Sequence, residues 1–454
     1  MDPIDRERTR ARELIDRGDE AGARTALLAA LVHAPDDLRV LTDLGTLLFR
    51  SGYRRAAQTV YARAVQAHPR DAIANANLAN ASFDAGDLAA ARQLYETAIS
   101  IQPDFAAAHQ GLSFVYNRLG DEAAACIHRE LGFRDRAVVV RPYRGTGIGL
   151  HVLVLVAAGG GNIFTDHLLD DRRFGTTTLA VDFLDPNLTL PPHDVVFNTI
   201  GDADRAAGAL HAASAIVERS RARIINHPTR VLATSRVQNA GRFSHVPGVV
   251  TPRTIVVQRA ALRSAADTFG FPLLLRSLGF HTGQFFVKVD RMADLDVRAG
   301  ELPGEALLMM DFLDARSPDG NVRKYRVMCI GGKLYPLHAA ISSHWKVHYF
   351  TADMTDRSDH RAEDARFIAH MSSVLGTEAL AALASVSTVL GLDYGGIDFG
   401  RMPDGRLVLF EANATMIVLP PDVDPRWDYR RAAVRNVLEA VDALVRANGA
   451  RCSQ

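Results

Sequence analysis

Three residues near the C-terminus have the types and spacing expected of ligands for a hard divalent cation: Asp398, Glu411 and Asn413. Residues 403–405 between them read Pro-Asp-Gly, which is strong turn chemistry. The apolar runs on either side have the length and composition of strands, so a hairpin would bring Asp398 opposite Glu411. Residues two apart on a strand share a face, and Glu411 and Asn413 therefore point the same way.

Two carboxylates and one amide oxygen suit Mg²⁺, which usually completes its shell with waters and substrate phosphates. Both carboxylates lie within apolar runs, where an unpaired carboxylate would be costly to bury. A metal role is therefore favoured over a solvated hairpin, and a nucleotide is implied. Asp398 also opens an Asp-Phe-Gly tripeptide, but no His-Arg-Asp loop and no Gly-rich loop followed by Val-Ala-Ile-Lys accompanies it, which argues against the protein-kinase fold.

The composition is that of a packed multidomain protein. The chain has 454 residues, of which 48% are hydrophobic, with 52 acidic and 52 basic side chains. No basic stretch is interleaved with aromatics, which argues against nucleic acid or an anionic membrane as the main partner. No apolar run approaches the roughly 20 residues of a membrane-spanning helix.

The three cysteines indicate the compartment. Cys126, Cys329 and Cys452 form no Cys-x-x-Cys pair and fit a reducing compartment, so we expect a cytoplasmic protein. The oligomeric state stays open.

Three sets of residues in the N-terminal part keep one step of 34 positions: Gly18, Gly52, Gly86 and Gly120; Pro35, Pro69 and Pro103; Ala30, Ala64 and Ala98. This pattern resembles the tetratricopeptide repeat, a helix-turn-helix unit of that length, over about residues 4–133. Stacked repeats form a concave groove that usually receives a peptide, and we take Asn75, Asn77, Asn80 and His109 as candidate groove residues. A structural spacer or a dimerisation surface is the alternative.

The pattern changes after residue 142. Residues 152–158 predict a buried strand that ends in a Gly-Gly-Gly-Asn turn at 159–162, and residues 194–198 and 223–226 predict further short strands around an Ala-rich helical stretch. This alternation is typical of a parallel α/β layer. The triple Gly lacks the Gly-x-Gly-x-x-Gly spacing of a dinucleotide site, so we interpret it as a strand-to-helix turn.

The order of elements from residue 234 onward is informative. A helix opening at Thr234–Arg236 is followed by strands at 271–276, 284–289 and 307–314, then by a hairpin at 323–335 with a Gly-Gly turn, and finally by the hairpin of Asp398 and Glu411. Over about residues 150–445 this order resembles the ATP-grasp superfamily, closest in motif style to carboxylate-amine ligases such as glutathione synthetases and ribosomal-protein glutamate ligases.

The two resemblances together imply a multidomain fold. An all-α tetratricopeptide-repeat solenoid would cover residues 1–135, and an α/β, Rossmann-like pre-ATP-grasp domain residues 136–233. An α+β ATP-grasp domain would cover residues 234–450, with a central lid over about 250–308 and a metal-binding half over about 309–450.

The ATP-grasp resemblance also implies a role for individual residues. Asp398, Glu411 and Asn413 would hold the Mg²⁺ that bridges the ATP phosphates. Arg236 and Arg276 stand where relatives usually carry Lys and would contact the phosphates.

Other residues would bind the base, the sugar and the acceptor. Met310, Asp311 and Leu313 would offer backbone groups to the adenine edge, and Asp314 could accept from the ribose hydroxyls. Arg326 matches an Arg that faces the γ-phosphate or the acyl phosphate, although relatives often show Asp-x-Arg where this chain has Lys324-Tyr325-Arg326. His338 or Lys346 would bind the substrate carboxylate. The histidines around them form no recognised zinc pattern.

These roles predict an ATP-dependent ligase in which a substrate carboxylate is converted to an acyl phosphate. An amine, or less favourably a thiol, then displaces phosphate, while a loop over residues 279–283 excludes water. A repeat array that recruits a peptide or protein points to peptide modification in a biosynthetic pathway. Two alternatives stay open: an ATP-grasp kinase that phosphorylates a small-molecule hydroxyl, and a non-catalytic repeat scaffold whose nucleotide site only senses ATP.

Overall fold

The structure, a computed structural model, describes residues 2–280, 283–347 and 352–449. The chain divides into two compact units. The first comprises Met1–Ala137 and Pro420–Asp428, and the second comprises Val138–Leu419 and the residues from Tyr429 onward.

The first unit contains eight consecutive helices that pair as antiparallel neighbours. They are α1 (Pro3–Arg17), α2 (Glu20–His33), α3 (Leu38–Arg50), α4 (Arg54–Ala67), α5 (Ala72–Asp84), α6 (Leu88–Ile101), α7 (Ala106–Leu119) and α8 (Glu122–Phe133). The four glycines that keep the 34-residue step all have φ between 82° and 87°, the left-handed conformation that ends the first helix of each pair. Buried Ala57, Ala64, Ala91 and Ala98 let neighbouring helices approach closely. The predicted repeat array is therefore present.

Two of the four candidate groove residues stabilise the repeats instead. Asn75 is buried and donates from Nδ2 to the Pro69 carbonyl at 3.1 Å. His109, one repeat later, is also buried, and its Nε2 lies 2.9 Å from the Pro103 carbonyl. Each side chain thus binds a backbone carbonyl six residues earlier, in the loop that follows the preceding helix. Asn77 is half-buried, and Asn80 is exposed and accepts from the Tyr95 hydroxyl.

The second unit begins with a five-stranded sheet in the order β1-β3-β2-β4-β5. Its elements are β1 (Val138–Arg141), β2 (Leu150–Val156), β3 (Phe174–Ala180), β4 (Val195–Asn198), α9 (Ala207–Val217), β5 (Arg223–Ile225), α10 (Pro228–Leu232) and α11 (Arg236–Phe243). Strands β2 to β5 are parallel, as predicted, and β1 pairs antiparallel at the edge.

A second, antiparallel sheet, called the lid sheet below, has the order β7-β10-β8-β9. It follows the two-residue strand β6 (Val249–Val250) and contains β7 (Thr254–Gln258), α12 (Leu262–Phe269), β8 (Leu273–Ser277), β9 (Phe286–Val289), α13 (Leu295–Gly300) and β10 (Ala306–Asp311). The lid sheet has its own apolar core, which includes Val257, Leu275 and Leu307.

The third sheet, called the floor sheet below, has the order β12-β11-β13-β14-β6. Its long strands and helices are β11 (Val322–Ile330), β12 (Lys333–Ser342), α14 (Ser358–Ala369), α15 (Met371–Leu375), α16 (Thr377–Leu390), β13 (Tyr394–Arg401), β14 (Leu407–Asn413) and α17 (Arg431–Gly449). The hairpin of β13 and β14 pairs Asp398 with Glu411, as predicted. One hydrophobic core runs from Val152 of the first sheet to Phe399 and Val445, and so joins the first sheet to the floor sheet.

Within the described ranges, no helix combines the length and the apolar character that crossing a membrane requires.

A methyl group on Gly111 is expected to destabilise the repeat array. The added carbon would overlap the buried ring of Tyr95. Overpacking of this kind costs about 1–3 kcal/mol, of which the higher helix propensity of Ala recovers at most about 1 kcal/mol. Urea unfolding followed by circular dichroism measures the effect. Gly208→Ala in α9 is the control, because a methyl group there meets open space. Equal stability of Gly111→Ala and wild type would contradict this packing.

Candidate functional site

A row of polar side chains crosses the floor sheet on one face. His338 on β12 pairs with Arg326 on β11, Arg326 pairs with Asp398 on β13, and Asp398 pairs with Glu411 on β14. Directly opposed residues in an antiparallel sheet project their side chains to the same side. The sheet therefore assembles residues that are up to 85 positions apart in sequence, from Arg326 to Glu411, into one line.

The centre of this row is a buried ion triad. Arg326 donates from Nε and Nη2 to the two oxygens of Asp398, at 2.6 and 2.8 Å, and Lys324 Nζ lies 2.6 Å from Oδ2. Asp398 is fully buried. Burial would raise the pKa of this carboxyl, but the charges of Arg326 and Lys324 outweigh it and hold the pKa far below the usual range. Asp398 is therefore permanently ionised.

Glu411 lies at the next position of the row and meets a helix of the first part of the unit. Arg236 is the first residue of α11, behind the N-cap Ser235, and its Nη2 lies 3.0 Å from Glu411 Oε1. Its Nη1 lies 2.9 Å from Asp204. Asn413 donates from Nδ2 to Glu411 at 2.9 Å. Burial lowers the pKa of Arg236 less than the surrounding carboxylates raise it, so this guanidinium stays charged.

Arg276 on β8 makes few polar contacts within the part of the chain that the structure describes. Its Nε is buried and makes no hydrogen bond within the described residues, and its only described donation goes from Nη2 to the Phe280 carbonyl. Burial, together with the nearby charge of Arg236, lowers the pKa of Arg276 to about 10. At neutral pH the guanidinium is still protonated. Its Nε therefore remains available as a charged hydrogen-bond donor for an anionic ligand.

The other end of the row is held by α14 and the residues just before α17. Asp364 accepts from the Ala339 backbone amide at 2.7 Å and from the Tyr429 hydroxyl at 2.6 Å, and Arg430 Nε lies 3.7 Å away. Ala339 adjoins His338, which is buried. Burial, reinforced by the charges of Arg430 and Arg326, lowers the pKa of His338 well below its usual value. A neutral imidazole makes a hydrogen bond with an acceptor carboxylate rather than an ion pair.

An open cleft of about 560 Å³ lies over the Glu411 end of the row. The lining residues come from three parts of the unit: the segment after β4 (Gly201–Asp204), the helix α11 with Thr251, Pro252 and Thr254, and Met310 with Leu409–Asn413. The cleft therefore joins the predicted phosphate, adenine and metal residues.

The remaining predicted residues lie away from the row. Met310 lines the cleft through its side chain, while its backbone pairs with Thr254 and Leu274. Asp311 is bound by Arg253, with an Nη2–Oδ1 distance of 2.8 Å. Two other predicted residues, Leu313 and Asp314, contact their local surroundings: Leu313 packs against the small apolar cluster of Ala315, Val322 and Val408, and Asp314 is bound by Arg316.

Lys346 is exposed and lies apart from the row. Its Nζ donates to the carbonyls of Gly283 and Phe286, at 3.2 and 3.4 Å, in the loop after β8. The structure therefore does not place Lys346 beside His338, and its role as a ligand of the substrate carboxylate stays a prediction.

Several residues of the site were not predicted. Asp202 and Asp204 lie a few residues after the carboxyl end of β4. Ligands bind at this edge of parallel α/β sheets, so the predicted strand could have indicated both residues. Asp364, Tyr429 and Arg430 form no local motif. Asp364 and Tyr429 are 65 positions apart, and only the fold brings them together.

The donor set fits a magnesium-bound nucleotide in its chemistry. Asp398, Glu411 and Asn413 offer oxygens on one face, and Arg276 offers for phosphate a guanidinium whose Nε makes no hydrogen bond within the described residues. Both carboxylates are already bound by cations, and within the described residues no cluster of three His, Cys, Asp or Glu side chains has the arrangement of a metal site. The phosphates of a nucleotide would compete for those cations.

Comparison with known proteins identifies the N-terminal helices. Residues 42–106 match the family model described as tetratricopeptide repeat, so the array is a tetratricopeptide-repeat domain. A search of curated proteins found no match. Among solved structures, a MamA protein is 23% identical over 29% of this chain and 72% of its own, with a TM-score of 0.28.

Two further structures show likenesses of the same extent. A MamA fragment from Desulfovibrio magneticus RS-1 is 24% identical over 28% of this chain and 71% of its own, with a TM-score of 0.26. A tetratricopeptide repeat protein from Parabacteroides merdae is 22% identical over 29% of this chain and 53% of its own, with a TM-score of 0.28. No further conclusion follows from TM-scores this low.

Asp364 is expected to make stability depend on pH. Burial raises the pKa of this carboxyl to about 6. The stability that its proton contributes is therefore complete below the unfolded-state pKa of about 3.9 and is lost as the pH rises through about 6. Relative to Asp364→Asn, the wild-type free energy of unfolding should fall by about 2 kcal/mol between pH 4 and pH 7.

Urea unfolding at a series of pH values measures this difference. Asp359→Asn is the control, because Asp359 lies on the same helix but is exposed. A difference between wild type and Asp364→Asn that is independent of pH would show that the carboxyl is not desolvated as described.

Proposed function

We propose that the second unit is an ATP-grasp ligase that joins a carboxylate to an amine through an acyl phosphate, and that the repeat domain recruits its peptide or protein substrate. The observation that supports this most strongly is the alignment of Asp398, Glu411 and Asn413 on one face of a hairpin, beside the cations Arg326 and Arg236. This set combines oxygen ligands for Mg²⁺ with donors for phosphate.

The charges of the chain would serve the reaction in distinct ways. Mg²⁺ would supply neutralisation of the charge on the transferred phosphoryl group. Arg236, which lines the cleft, and Arg276 bind phosphate oxygens, and Arg276 gains most because its Nε has no other described partner. Arg326 lies between Asp398 and His338, where the carboxylate to be activated would meet the nucleotide. The neutral His338 then hydrogen-bonds that carboxylate.

One observation favours a second candidate, a repeat scaffold with a nucleotide site that does not turn over. Both oxygens of Asp398 are engaged by Arg326 and Lys324, so a metal ion must displace a strong ion triad before it can use this ligand. In that case the second unit would bind nucleotide through its arginines and sense it without chemistry.

Release of ADP and phosphate distinguishes the two candidates. We expect the purified chain with magnesium and ATP to release both products only when a suitable peptide and amino acid from a panel are added. Glu411→Gln keeps the shape and the hydrogen bonds of the site but removes a metal-binding charge, so turnover should fall by about 100-fold or more. Glu378→Gln, an exposed position at the start of α16, is the matched control.

The products also decide between reaction types. ADP with a phosphorylated product and no free phosphate would mean transfer to a hydroxyl. Nucleotide binding without turnover across the panel, unchanged in Glu411→Gln, would contradict the ligase and support the scaffold.

Replacement of Arg276 by Met should separate binding from stability. The loss of a charged phosphate contact is worth about 1.5–3 kcal/mol, which corresponds to about 10- to 100-fold weaker binding of an ATP analogue. Stability should stay equal or rise, because a buried and incompletely paired charge is removed. Calorimetry and thermal unfolding measure the two effects. Arg263→Met, at an exposed position on α12 of the same sheet, should change neither by a comparable amount. Unchanged affinity in Arg276→Met would contradict a phosphate role.

A further inference from the structure

Trp345 connects the floor sheet to the lid sheet. It follows the end of β12 by three residues and packs edge-to-face against two phenylalanines. Its ring centroid lies 5.4 Å from that of Phe286, the first residue of β9, and 6.0 Å from that of Phe312, just after β10. One side chain from the segment after the floor strand β12 thus contacts Phe286 of the lid sheet and Phe312 at its edge.

Phe286 links this contact to Arg276. Arg276 pairs with Phe286 across β8 and β9, and its guanidinium lies 5.4 Å from the centroid of the Phe286 ring. The Phe286 ring therefore contacts both Trp345 and Arg276. A shift of Trp345 would release the ring on which the guanidinium rests, so the position of Arg276 depends on a residue that does not touch it.

Lys346 contacts the same part of the lid sheet as Trp345. Its Nζ donates to the Gly283 and Phe286 carbonyls, at 3.2 and 3.4 Å. Between these two residues, Phe285 has φ of 45°, which is sterically unfavourable for an L residue with a bulky side chain. Such a conformation persists only where the surroundings impose it, and Lys346 supplies that constraint.

The segment that carries Trp345 and Lys346 is anchored to β12, the strand at the His338 end of the row. The His344 amide donates to the Ser342 hydroxyl at 3.2 Å, and the Ser343 amide donates to Asp353 at 3.2 Å. Ser342 ends β12, the strand on which His338 lies. A ligand that contacts β12 beside His338 therefore contacts the strand that leads directly to Trp345.

We propose that Trp345 and Lys346 are positioning residues that hold Arg276 in place for the nucleotide phosphates and couple acceptor binding at β12 to nucleotide binding at β8. The inference rests on the proposed function, because it takes Arg276 as a phosphate ligand. Coupling of this kind is reciprocal, so that each substrate tightens the binding of the other.

Fluorescence of Trp345 tests the contact directly. The chain contains two tryptophans, Trp345 and Trp427, so Trp427→Phe leaves Trp345 as the single emitter. Addition of Mg²⁺ with a non-hydrolysable ATP analogue should change its emission and reduce its quenching by acrylamide. Unchanged emission and quenching, under conditions where calorimetry shows the analogue bound, would overturn the inference and leave the proposed function standing.

Substitutions test the positioning role. Each aromatic pair of this geometry is worth about 0.5–1.5 kcal/mol, so Trp345→Ala should weaken binding of the analogue by about tenfold. Trp345→Phe should restore most of the affinity. Lys346→Met should weaken binding by a smaller factor than Trp345→Ala, and Lys346→Arg should restore it. Phe164→Ala, an exposed aromatic of the same unit, is the control.

The outcomes separate the inference from its premise. A loss of affinity in Trp345→Ala at an unchanged unfolding temperature supports positioning, whereas a purely structural role would lower the unfolding temperature and spare the affinity of the folded fraction. Equal affinity of Trp345→Ala and wild type overturns the inference alone. No binding of the analogue by the wild type overturns the proposed function and this inference with it.

Discussion

The buried carboxylate of Asp398 is the constraint on which the floor sheet depends. Desolvation of an ion costs several kcal/mol, and only good geometry with additional partners compensates for it. Asp398 meets that condition through two hydrogen bonds from Arg326 and an ion pair with Lys324. Because the partners lie on β11 and the carboxylate on β13, a slip in register between these strands would leave charges buried without partners. Loss of one partner of such a pair typically costs 3–5 kcal/mol. The triad therefore fixes the register that aligns the rest of the row.

The same row ties the sheet to the helices around it. Glu411 is joined to α11 through Arg236, and Arg236 in turn to Asp204 after β4. At the other end, Asp364 joins α14 to the backbone of β12 and to Tyr429 before α17. Charges that are rare in protein interiors thus connect elements that are distant in sequence. Such an arrangement serves a site more readily than it serves stability, since apolar residues of similar size would pack the same space at lower cost. This is the physical reason to expect a ligand-binding or catalytic site on the floor sheet.

Local chemistry made part of this structure predictable from the sequence. The 34-residue step predicts the helix pairs because small residues and left-handed glycines recur where paired helices require them, and the Pro-Asp-Gly turn predicts the pairing of Asp398 with Glu411. The partners of the charged residues were not predictable in the same way. Lys346 and Asp314 have the residue types of ligands, but Lys346 is bound to carbonyls that only the fold brings within reach, and Asp314 is bound by Arg316 two residues later. Asn75 and His109 were predicted to line a groove, yet both are buried and bind carbonyls of the loops between repeats, because a polar residue at a helical position can satisfy backbone carbonyls as well as bind a partner.

The central claim is that the floor sheet holds a nucleotide together with Mg²⁺, and a calorimetric titration of the intact chain with a non-hydrolysable ATP analogue tests it most directly. Comparison of titrations with and without Mg²⁺ isolates the metal, and Glu411→Gln isolates its ligand. The account predicts one bound nucleotide per chain, with an affinity that falls by at least about tenfold, or about 1.4 kcal/mol, when either Mg²⁺ or the Glu411 charge is removed. Absence of binding, or an affinity that neither change alters, would contradict it.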